Sequence, residues 1–419
     1  MTNNMKIAVI GGGISGVSAS SFLKDKGISQ MLFEKSDKLG GLIKCERVNN
    51  ILFHKVGGHV FNTKNPLIKK WFENKFNLDE KFLKAKRNAK IFFDSKKITN
   101  YPIENHLYQL DEDIFVEIID EVLNLMESEK KTNYENFEDF LKSNFGNKLF
   151  ELYFEPYNKK IWNTDLKNIP LDWLDGKLPM PNHKETIKSN IFQKEEQDMV
   201  HSKFYYPREN GSQFLIDTLA KDINYKTNSE IKNINFNKNK LSIEGDEYDK
   251  LIYTGDVRKL VDFFDINDEN LKSEIKKLKS NGTSNVLCEV DKNDFSWMYF
   301  PDSRIKPHRI IYTGNLSSHN NGNSKRTSCT IEFSGHVEKD IIISELKKLP
   351  GNPKPIAFNY EKNSYIIHDY NTKKNISKLK NILKKSNIYL VGRFAEWEYY
   401  NMDKAMEASY MLVNKLLKK

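Results

Sequence analysis

The sequence contains few cysteines and no long apolar segment. Only three of its 419 residues are cysteine, namely Cys45, Cys288 and Cys329, and they lie far apart with no CxxC pair. A disulfide framework and a zinc site are therefore not expected, and the thiols are typical of a reducing compartment. No run of about 18 apolar residues occurs, which excludes a spanning helix, and the first residues lack the pattern of a signal peptide. We expect a cytoplasmic protein without a bound metal.

A concentrated block of positive charge is also missing. The formal net charge is +9, but the 66 Lys and Arg residues and the 57 Asp and Glu residues are dispersed along the chain. Nucleic-acid binding would require basic residues clustered with aromatic ones, so no nucleic-acid partner is expected. Hydrophobic residues make up 38% of the sequence, enough for a large core. At about 150 residues per domain, the length predicts roughly three units.

The first forty residues carry the clearest motif. Residues 6–10 (KIAVI) predict a buried strand, Gly11, Gly13 and Gly16 follow in GGGISG, and a helical pattern leads to a second strand ending in Glu34. In this context the glycines allow a tight turn, close approach to a pyrophosphate, and close packing of helix and strand. The helix N-terminus attracts phosphate, and Glu34 is placed to bind a ribose. The unit predicts a dinucleotide site.

The residues after Glu34 indicate which dinucleotide binds. The sequence continues KSDKLGGLIKC, with Lys35 next to the acidic residue and a second glycine pair at Gly40 and Gly41. This pair lets the chain run close to a bulky cofactor. The arrangement resembles FAD-binding flavoproteins of the amine-oxidase type, so FAD is favoured over a nicotinamide cofactor.

The rest of the chain has a mixed pattern. Residues 111–144 predict amphipathic helices, whereas residues 231–253 and 285–334 contain strand-like runs. Residues 387–394 predict a strand and 402–419 a closing helix. We therefore expect an α/β fold with a Rossmann-like domain that opens and closes the chain, and with a helical and an antiparallel β-sheet domain inserted.

Eight segments in order resemble one family, the UDP-galactopyranose mutases, and its eukaryotic-type members most. They are VGGHVF (56–61), YPIEN (101–105), PYNKKIW (156–162), WLDGKLPMPN (173–182), FYYPRENGS (204–212), WMYFP (297–301), HRIIYTGNLS (308–317) and VGRFAEWEYYNMD (391–403). The resemblance implies three interwoven domains. Their expected ranges are 1–85, 200–255 and 375–419 for the FAD domain, 103–199 for the helical domain with a mobile loop near 173–182, and 86–102 and 256–374 for the sheet domain.

The resemblance also implies an activity. Family members interconvert the pyranose and furanose forms of a UDP-sugar for polysaccharide synthesis, and N5 of reduced FAD forms an adduct with the sugar and displaces UDP. UDP-galactose and UDP-arabinose are both candidate substrates. A reductant is needed, with NAD(P)H one candidate, and a homo-oligomer is compatible with the family. Two alternatives stay open: an oxidoreductase of the amine-oxidase or protoporphyrinogen-oxidase type, and a flavin-free binding protein, against which the intact glycines argue.

For the nucleotide base, the resemblance points to PYNKKIW. Tyr157 and Trp162 would stack on uracil and Asn158 would bind its polar edge. From the residues alone, packing between helices is the favoured explanation of both rings, and the resemblance reverses that order. Ile103 and Glu104 stand where eukaryotic-type members tend to have an aromatic residue and a Gln, so Glu104 is included among the candidate substrate contacts. This departure leaves the identity of the base open.

For the diphosphate, Arg309 matches one of the two phosphate-binding arginines of the family. Lys177 occupies the place of the other, and a lysine lacks the bidentate fork of a guanidinium. Tyr299, Tyr370 and Tyr399 match the phosphate-binding tyrosines, with core packing of each ring as the alternative. Arg309 and Lys177 are expected to act in catalysis by stabilising the departing UDP.

For the flavin, the resemblance points to residues at two places in the chain. Gly58 and His59 in VGGHVF match the segment beside the flavin ring, and His59 is the third expected catalytic residue. Arg393, Asn401 and Met402 match the closing FAD contacts. A helix N-terminus at Met402 would stabilise negative charge on the reduced ring.

Overall fold

The structure is a computed structural model. It describes residues 5–93, 97–171, 173–174, 182–193, 203–237, 240–264 and 266–417. The strands are β1 (Lys6–Ile10), β2 (Ser29–Phe33), β3 (Cys45–Val48), β4 (Ile51–His54), β5 (Phe82–Lys86), β6 (Ala89–Phe92), β7 (Ile98–Asn100), β8 (Lys203–Pro207), β9 (Tyr225–Lys226), β10 (Asn235–Asn237), β11 (Lys240–Ile243), β12 (Asp246–Tyr248), β13 (Lys250–Tyr253), β14 (Lys279–Val290), β15 (Trp297–Tyr299), β16 (Arg309–Ile311), β17 (Thr327–Ser334), β18 (Lys354–Ile367) and β19 (Ile388–Leu390).

Helices connect and cover these strands. They are α1 (Ile14–Asp25), α2 (Pro66–Phe76), α3 (Leu78–Lys81), α4 (Glu112–Glu127), α5 (Phe137–Phe145), α6 (Asn147–Leu149), α7 (Glu155–Trp162), α8 (His183–Phe192), α9 (Gln213–Ala220), α10 (Val257–Phe263), α11 (Glu269–Lys276), α12 (Thr313–Leu316), α13 (Lys339–Leu346), α14 (Thr372–Lys385) and α15 (Met402–Leu417).

The first sheet is a parallel five-stranded sheet with the order β19-β13-β1-β2-β9. The strands β1, β13 and β19 are short, largely buried apolar runs, as is typical of a parallel sheet covered on both faces. Helices α1 and α15 pack together on it, and the Ser409 hydroxyl donates to the Ser15 carbonyl at 3.0 Å. The prediction that the first and last parts of the chain form one α/β unit is confirmed.

The second sheet has seven strands in the order β18-β14-β17-β16-β15-β6-β7. Its pairs are antiparallel except β6 with β15, which is parallel and joins distant parts of the chain. Strands β14 and β17 place Cys288 directly opposite Cys329. These two cysteines are therefore distant in the sequence but adjacent in the fold, and both thiols are buried and free.

The helices α4 to α8 form a third layer beside this sheet. Apolar side chains of these helices, such as Ile118 and Phe137, share a core with Ile91 on β6 and Ile311 on β16. A π-helical stretch, Phe150–Phe154, leads directly into α7, and Asn163 ends α7 with a left-handed φ of 50°. These two features fix the direction of α7, which carries three of the predicted site residues.

Two kinds of feature are absent from the described residues. No helix in the described ranges is long and apolar enough to cross a membrane. Within the same ranges, no group of three or more His, Cys, Asp or Glu side chains could hold a metal ion.

Candidate functional site

The loop between β1 and α1 has the geometry of a phosphate-binding turn. Gly11 has a φ of +108°, and a Cβ on Gly16 would collide with the Gly11 carbonyl oxygen, so helix and turn approach more closely than any larger residue allows. Gly13 precedes α1, and no side chain caps its first N–H groups. Because a Cβ on Gly13 would meet only the Gly41 Cα, at 3.8 Å, there is space beside these N–H groups for a phosphate.

Glu34 lies at the end of β2, next to this loop. Its carboxylate accepts hydrogen bonds from the Gly12 N–H at 2.7 Å and from the Ser36 N–H and hydroxyl at 2.9 and 2.6 Å. These bonds fix the carboxylate where the loop and strand meet, as ribose binding requires. The Gly40 N–H donates to the Gly12 carbonyl at 2.8 Å, which brings the second glycine pair beside the first loop. The Lys35 side chain is exposed.

His59 lies between the two sheets. Its Nε2 donates to the carbonyl oxygens of Val56 at 2.7 Å and Leu42 at 3.1 Å, so in the neutral ring Nδ1 is left as an acceptor. Burial lowers the pKa of His59 to about 4, and the nearby charge of Arg393 adds to this effect. The ring is therefore neutral at pH 7. At Gly58, a Cβ would contact the Ile311 Cγ2 at 2.5 Å, so the backbone can follow this path only without a side chain.

Arg393 lies in the segment before α15. The Arg393 guanidinium donates to the carbonyl oxygens of Tyr400 at 3.1 Å and Ser364 at 3.0 Å and lies 4.7 Å from the centre of the Tyr399 ring. Asn401 accepts the first backbone hydrogen bond of α15, from Ala405 at 2.9 Å. Met402 begins the helix and is buried.

Arg309, on β16, forms the centre of the site. Its Nε donates to the Glu332 carboxylate on β17, whose side chain is 1% exposed, and its Nη2 donates to the Tyr365 hydroxyl at 3.3 Å. Burial opposes the charge, but Glu332 outweighs it and raises the pKa of Arg309 well above its usual value. A quarter of the Arg309 side chain remains exposed, so the cation is accessible.

Aromatic side chains extend from Arg309 in both directions. Tyr157 meets Tyr299 edge to face at 5.5 Å, and Trp162 meets Tyr365 at 6.0 Å and Tyr399 at 5.7 Å. Tyr365 and Tyr399 are stacked at 6.1 Å. We call these five residues the aromatic row. It runs from the helical layer to Arg393 and supplies stacking faces and hydroxyl groups beside an accessible cation.

Not every predicted residue lies in this row. Tyr370 is 60% exposed, and its hydroxyl donates to the carbonyl oxygens of Glu135 and Lys167, so the fold does not bring it to Arg309. Tyr365, five residues earlier, occupies that place. The Asn158 amide is used within its own helix, donating to the Phe154 carbonyl at 2.8 Å and accepting from Trp162 at 3.3 Å.

Glu104 and Lys177 are the remaining predicted substrate contacts. The Glu104 carbonyl oxygen accepts a hydrogen bond from Asn190 at 2.9 Å, which attaches this segment to α8. The partly exposed Glu104 side chain is close enough to Tyr153 to raise the pKa of that phenol, although burial is the larger cause. Lys177 lies outside the described residues, as does most of the segment predicted as a loop.

Sequence reasoning missed three residues of the site: Tyr365, Glu332 and Arg87. Glu332 is directly opposite Arg309 on neighbouring strands, and Tyr365 lies near the end of β18. Arg87 lies between β5 and β6 and donates to the Tyr299 hydroxyl. A signal for Glu332 was available, because strand alternation in TIEFSG predicts which residues share a face. No local signal distinguishes Arg87 from the other basic residues.

Comparisons with known proteins agree with this fold. The family described as an NAD(P)-binding Rossmann-like domain matches residues 9–74. UDP-galactopyranose mutase of Mycoplasma genitalium is 22% identical over an alignment covering 99% of this chain and 95% of that protein. The mutase of Mycoplasma pneumoniae is 35% identical over 79 residues, which is 18% of this chain and 20% of that protein.

Solved structures show how far the likeness extends. A crystal structure of reduced UDP-galactopyranose mutase superposes with a TM-score of 0.87 at 18% identity, covering 99% of this chain and 94% of that one. Rat flavin-containing amine oxidase B, by contrast, matches only 70 residues at 36% identity, 16% of this chain and 14% of that protein. The predicted resemblance to the mutases is confirmed along the whole chain, whereas the sequence similarity to amine oxidase B is confined to one segment.

Proposed function

We propose that this chain, which resembles UDP-galactopyranose mutase from end to end, is a flavin-dependent isomerase, an intramolecular transferase, that interconverts the pyranose and furanose forms of a UDP-sugar. The observation that carries the proposal is the aromatic row with Arg309 at its centre, adjoining the side of the molecule where His59 and the dinucleotide loop lie. An elongated ligand with a diphosphate in its middle matches this order of groups.

The chain's own residues fit FAD. The N–H groups at the start of α1 would bind the pyrophosphate, the fixed Glu34 carboxylate would bind a ribose hydroxyl, and Gly40 and Gly41 would allow close approach. Gly58, neutral His59, Arg393 and the start of α15 at Asn401 and Met402 would contact the flavin end. Bound FAD, in its reduced form, would supply a nucleophilic nitrogen for the anomeric carbon of the sugar.

Arg309 would bind and stabilise the diphosphate. Glu332 fixes the Nε edge of the guanidinium, so its terminal nitrogens are presented to the ligand in a set orientation, a form of preorganisation that favours charge developing on a leaving group. The hydroxyls of Tyr299, Tyr365 and Tyr399 are suited to donate to the same oxygens. Lys177 is proposed to add a second positive charge from the loop near 173–182, without bidentate geometry.

The nucleoside would lie at the Tyr157 end of the row. Tyr157 and Trp162 offer stacking faces, whereas Asn158 is already hydrogen-bonded within α7 and would have to change partners to bind a base. Uracil is proposed on the whole-length similarity, with galactose or arabinose as the sugar and polysaccharide synthesis as the use of the product. A reductant such as NAD(P)H would keep the flavin active, and assembly into a homo-oligomer is proposed on the same grounds.

An oxidoreductase of the amine-oxidase type is the competing function. Its support is the shared dinucleotide segment and the related fold. An amine or porphyrinogen would not use an arginine that is already oriented by a buried carboxylate and surrounded by phenol hydroxyls. The site therefore favours the mutase.

The test is turnover by the purified protein. We expect a flavin absorption spectrum and conversion of UDP-galactopyranose or UDP-arabinopyranose to the furanose form only after reduction with dithionite. Arg309→Ala should lower kcat/KM at least 100-fold, because it removes a cation aimed at the leaving group. Arg304→Ala is the matched control, since Arg304 is 69% exposed and paired with Asp302. Oxygen consumption with an amine and no isomerisation would overturn the proposal.

A further inference from the structure

Arg87 is a cation surrounded by aromatic rings at one end of the site. Its guanidinium carbon lies 4.5 Å from the centre of the Tyr101 ring, 5.5 Å from that of Trp297 and 5.8 Å from that of Tyr299. Such contacts stabilise a partly buried arginine in a fixed position. The neighbouring phenols also raise its pKa, although burial opposes them, so Arg87 is charged at every pH of interest.

The direct polar contact of Arg87 within the aromatic row is with Tyr299. An Nη2–H group donates to the Tyr299 hydroxyl oxygen. A phenol that accepts a hydrogen bond keeps its own O–H hydrogen for another partner. In the part of the chain that the structure describes, no group is found to accept that hydrogen, so it is available to a ligand.

Tyr299 is well placed to use this hydrogen on the ligand of Arg309. The two residues are directly opposite on the antiparallel strands β15 and β16, so their side chains emerge on the same face of the sheet. The Tyr299 ring is 6% exposed and meets Tyr157 edge to face. Tyr157 in turn lies close enough to Arg309 for the guanidinium charge to act on its pKa, which burial raises. Arg87, Tyr299 and Arg309 thus follow one another along one face.

We propose that Arg87 is a positioning residue: by donating to the Tyr299 oxygen it directs the Tyr299 hydroxyl hydrogen toward the diphosphate at Arg309. This inference rests on the proposed function. The guanidinium acts through Tyr299 and does not touch the phosphates. Accepting this charged hydrogen bond also makes the phenol a stronger donor, because successive hydrogen bonds polarise one another.

The experiment is a double-mutant cycle read out by UDP binding. Calorimetric titration of UDP into the oxidised holoprotein measures affinity without turnover, for the wild type, Arg87→Met, Tyr299→Phe and the double variant. We expect Arg87→Met to weaken UDP binding about tenfold in the wild type and less than twofold when Tyr299 is already Phe. Equal losses in the two backgrounds would overturn the inference, since Arg87 would then act independently of Tyr299.

A control and a second variant complete the design. Arg326 precedes β17 and donates to Asp291 at 2.7 Å and to the Gly351 carbonyl oxygen at 3.3 Å, so Arg326→Met removes a partly buried arginine outside the row and should leave UDP affinity unchanged. If Arg87→Met fails to fold, Arg87→Lys replaces it, with a loss of about threefold expected that disappears with Tyr299→Phe. Wild-type protein that binds no UDP would refute the proposed function, whereas normal wild-type binding without coupling would refute only the role of Arg87.

Discussion

Lys160 provides the sharpest test of how the helical layer is joined to the site. Its ammonium group, on α7, donates to the carbonyl oxygens of Phe300 at 2.8 Å, of Ile305 at 2.5 Å, and of Asp302. All three donors of the ammonium are therefore used on the loop that follows Tyr299. We predict that Lys160→Met, which keeps the four-atom apolar stem and removes the ammonium group, separates this loop from α7.

The size of the effect follows from these contacts. A hydrogen bond to a charged group contributes about 1.5–3 kcal/mol, so three set an upper limit of roughly 5–9 kcal/mol. Burial lowers the pKa of Lys160 to about 7, so part of this charge is lost at neutral pH and the contribution is smaller. The loop carries exposed residues at 303 and 304, so water can reach part of it and replace some of the lost bonds. We therefore expect a loss of about 3 kcal/mol in the free energy of unfolding. UDP binding should weaken several-fold, because Tyr299 and Tyr157 no longer keep their spacing.

The adjacent residue is a matched control. Lys159 is on the same helix but on its exposed side, where it pairs only with Glu155 at i,i+4. Lys159→Met should cost about 0.5 kcal/mol or less. Urea unfolding of both variants, with UDP titration of each, makes the comparison. Equal stability losses for the two variants would show that the carbonyl contacts of Lys160 do not join the layers.

Two further predictions concern the site and the pH dependence of the fold. Tyr365→Phe should weaken UDP binding about fivefold, since it removes the hydroxyl at Arg309, whereas Tyr370→Phe should have no effect; calorimetry of both decides which tyrosine belongs to the site. Burial lowers the pKa of His54 to about 3, of His59 to about 4 and of His308 well below its usual value, so the unfolded chain binds more protons than the native one below pH 6.5. The stabilisation from these neutral histidines is therefore fully present above pH 6.5. As the pH decreases from about 6.5 to 4, the free energy of unfolding decreases by about 1.4 kcal/mol per pH unit for each histidine. Urea unfolding across this range should show the slope, reduced by about a third in His54→Gln and unchanged in the exposed His319→Gln; a flat curve would contradict it.

The dinucleotide unit could be predicted because its information is local. The strand, turn and helix, together with the second strand that ends at Glu34, lie within 34 consecutive residues, and the close approach of Gly16 to the Gly11 carbonyl oxygen involves near neighbours. The first sheet adds three distant strands, β9, β13 and β19. Apolar runs and a closing helix indicated β13 and β19, whereas the two-residue strand β9 was not predicted.

The candidate site was harder to predict because its residues meet through long-range pairing. Tyr365 and Tyr370 both lie in SYIIHDY, and only the end of β18 at Ile367 distinguishes them. That end is set by pairing with β14, where Tyr365 is opposite Asn281. Arg87 reaches Tyr299 because β6 joins β15 in parallel, with Ala89 opposite Trp297 across more than 200 residues of sequence. Neither pairing can be predicted from the local sequence.

The arginines of the site differ in what they can offer a ligand. Arg393 donates to two backbone carbonyl oxygens, so much of its hydrogen-bonding capacity is used to fix the segment before α15. Arg309 gives its Nε edge to Glu332 and keeps a quarter of its side chain exposed. Arg87 contributes through Tyr299. Glu332 already balances the charge of Arg309. Binding of a dianionic diphosphate therefore depends on hydrogen-bond donors aimed at it as well as on net charge. For this reason the phenol hydroxyls along the row are as important for ligand binding as the dispersed excess of nine positive charges.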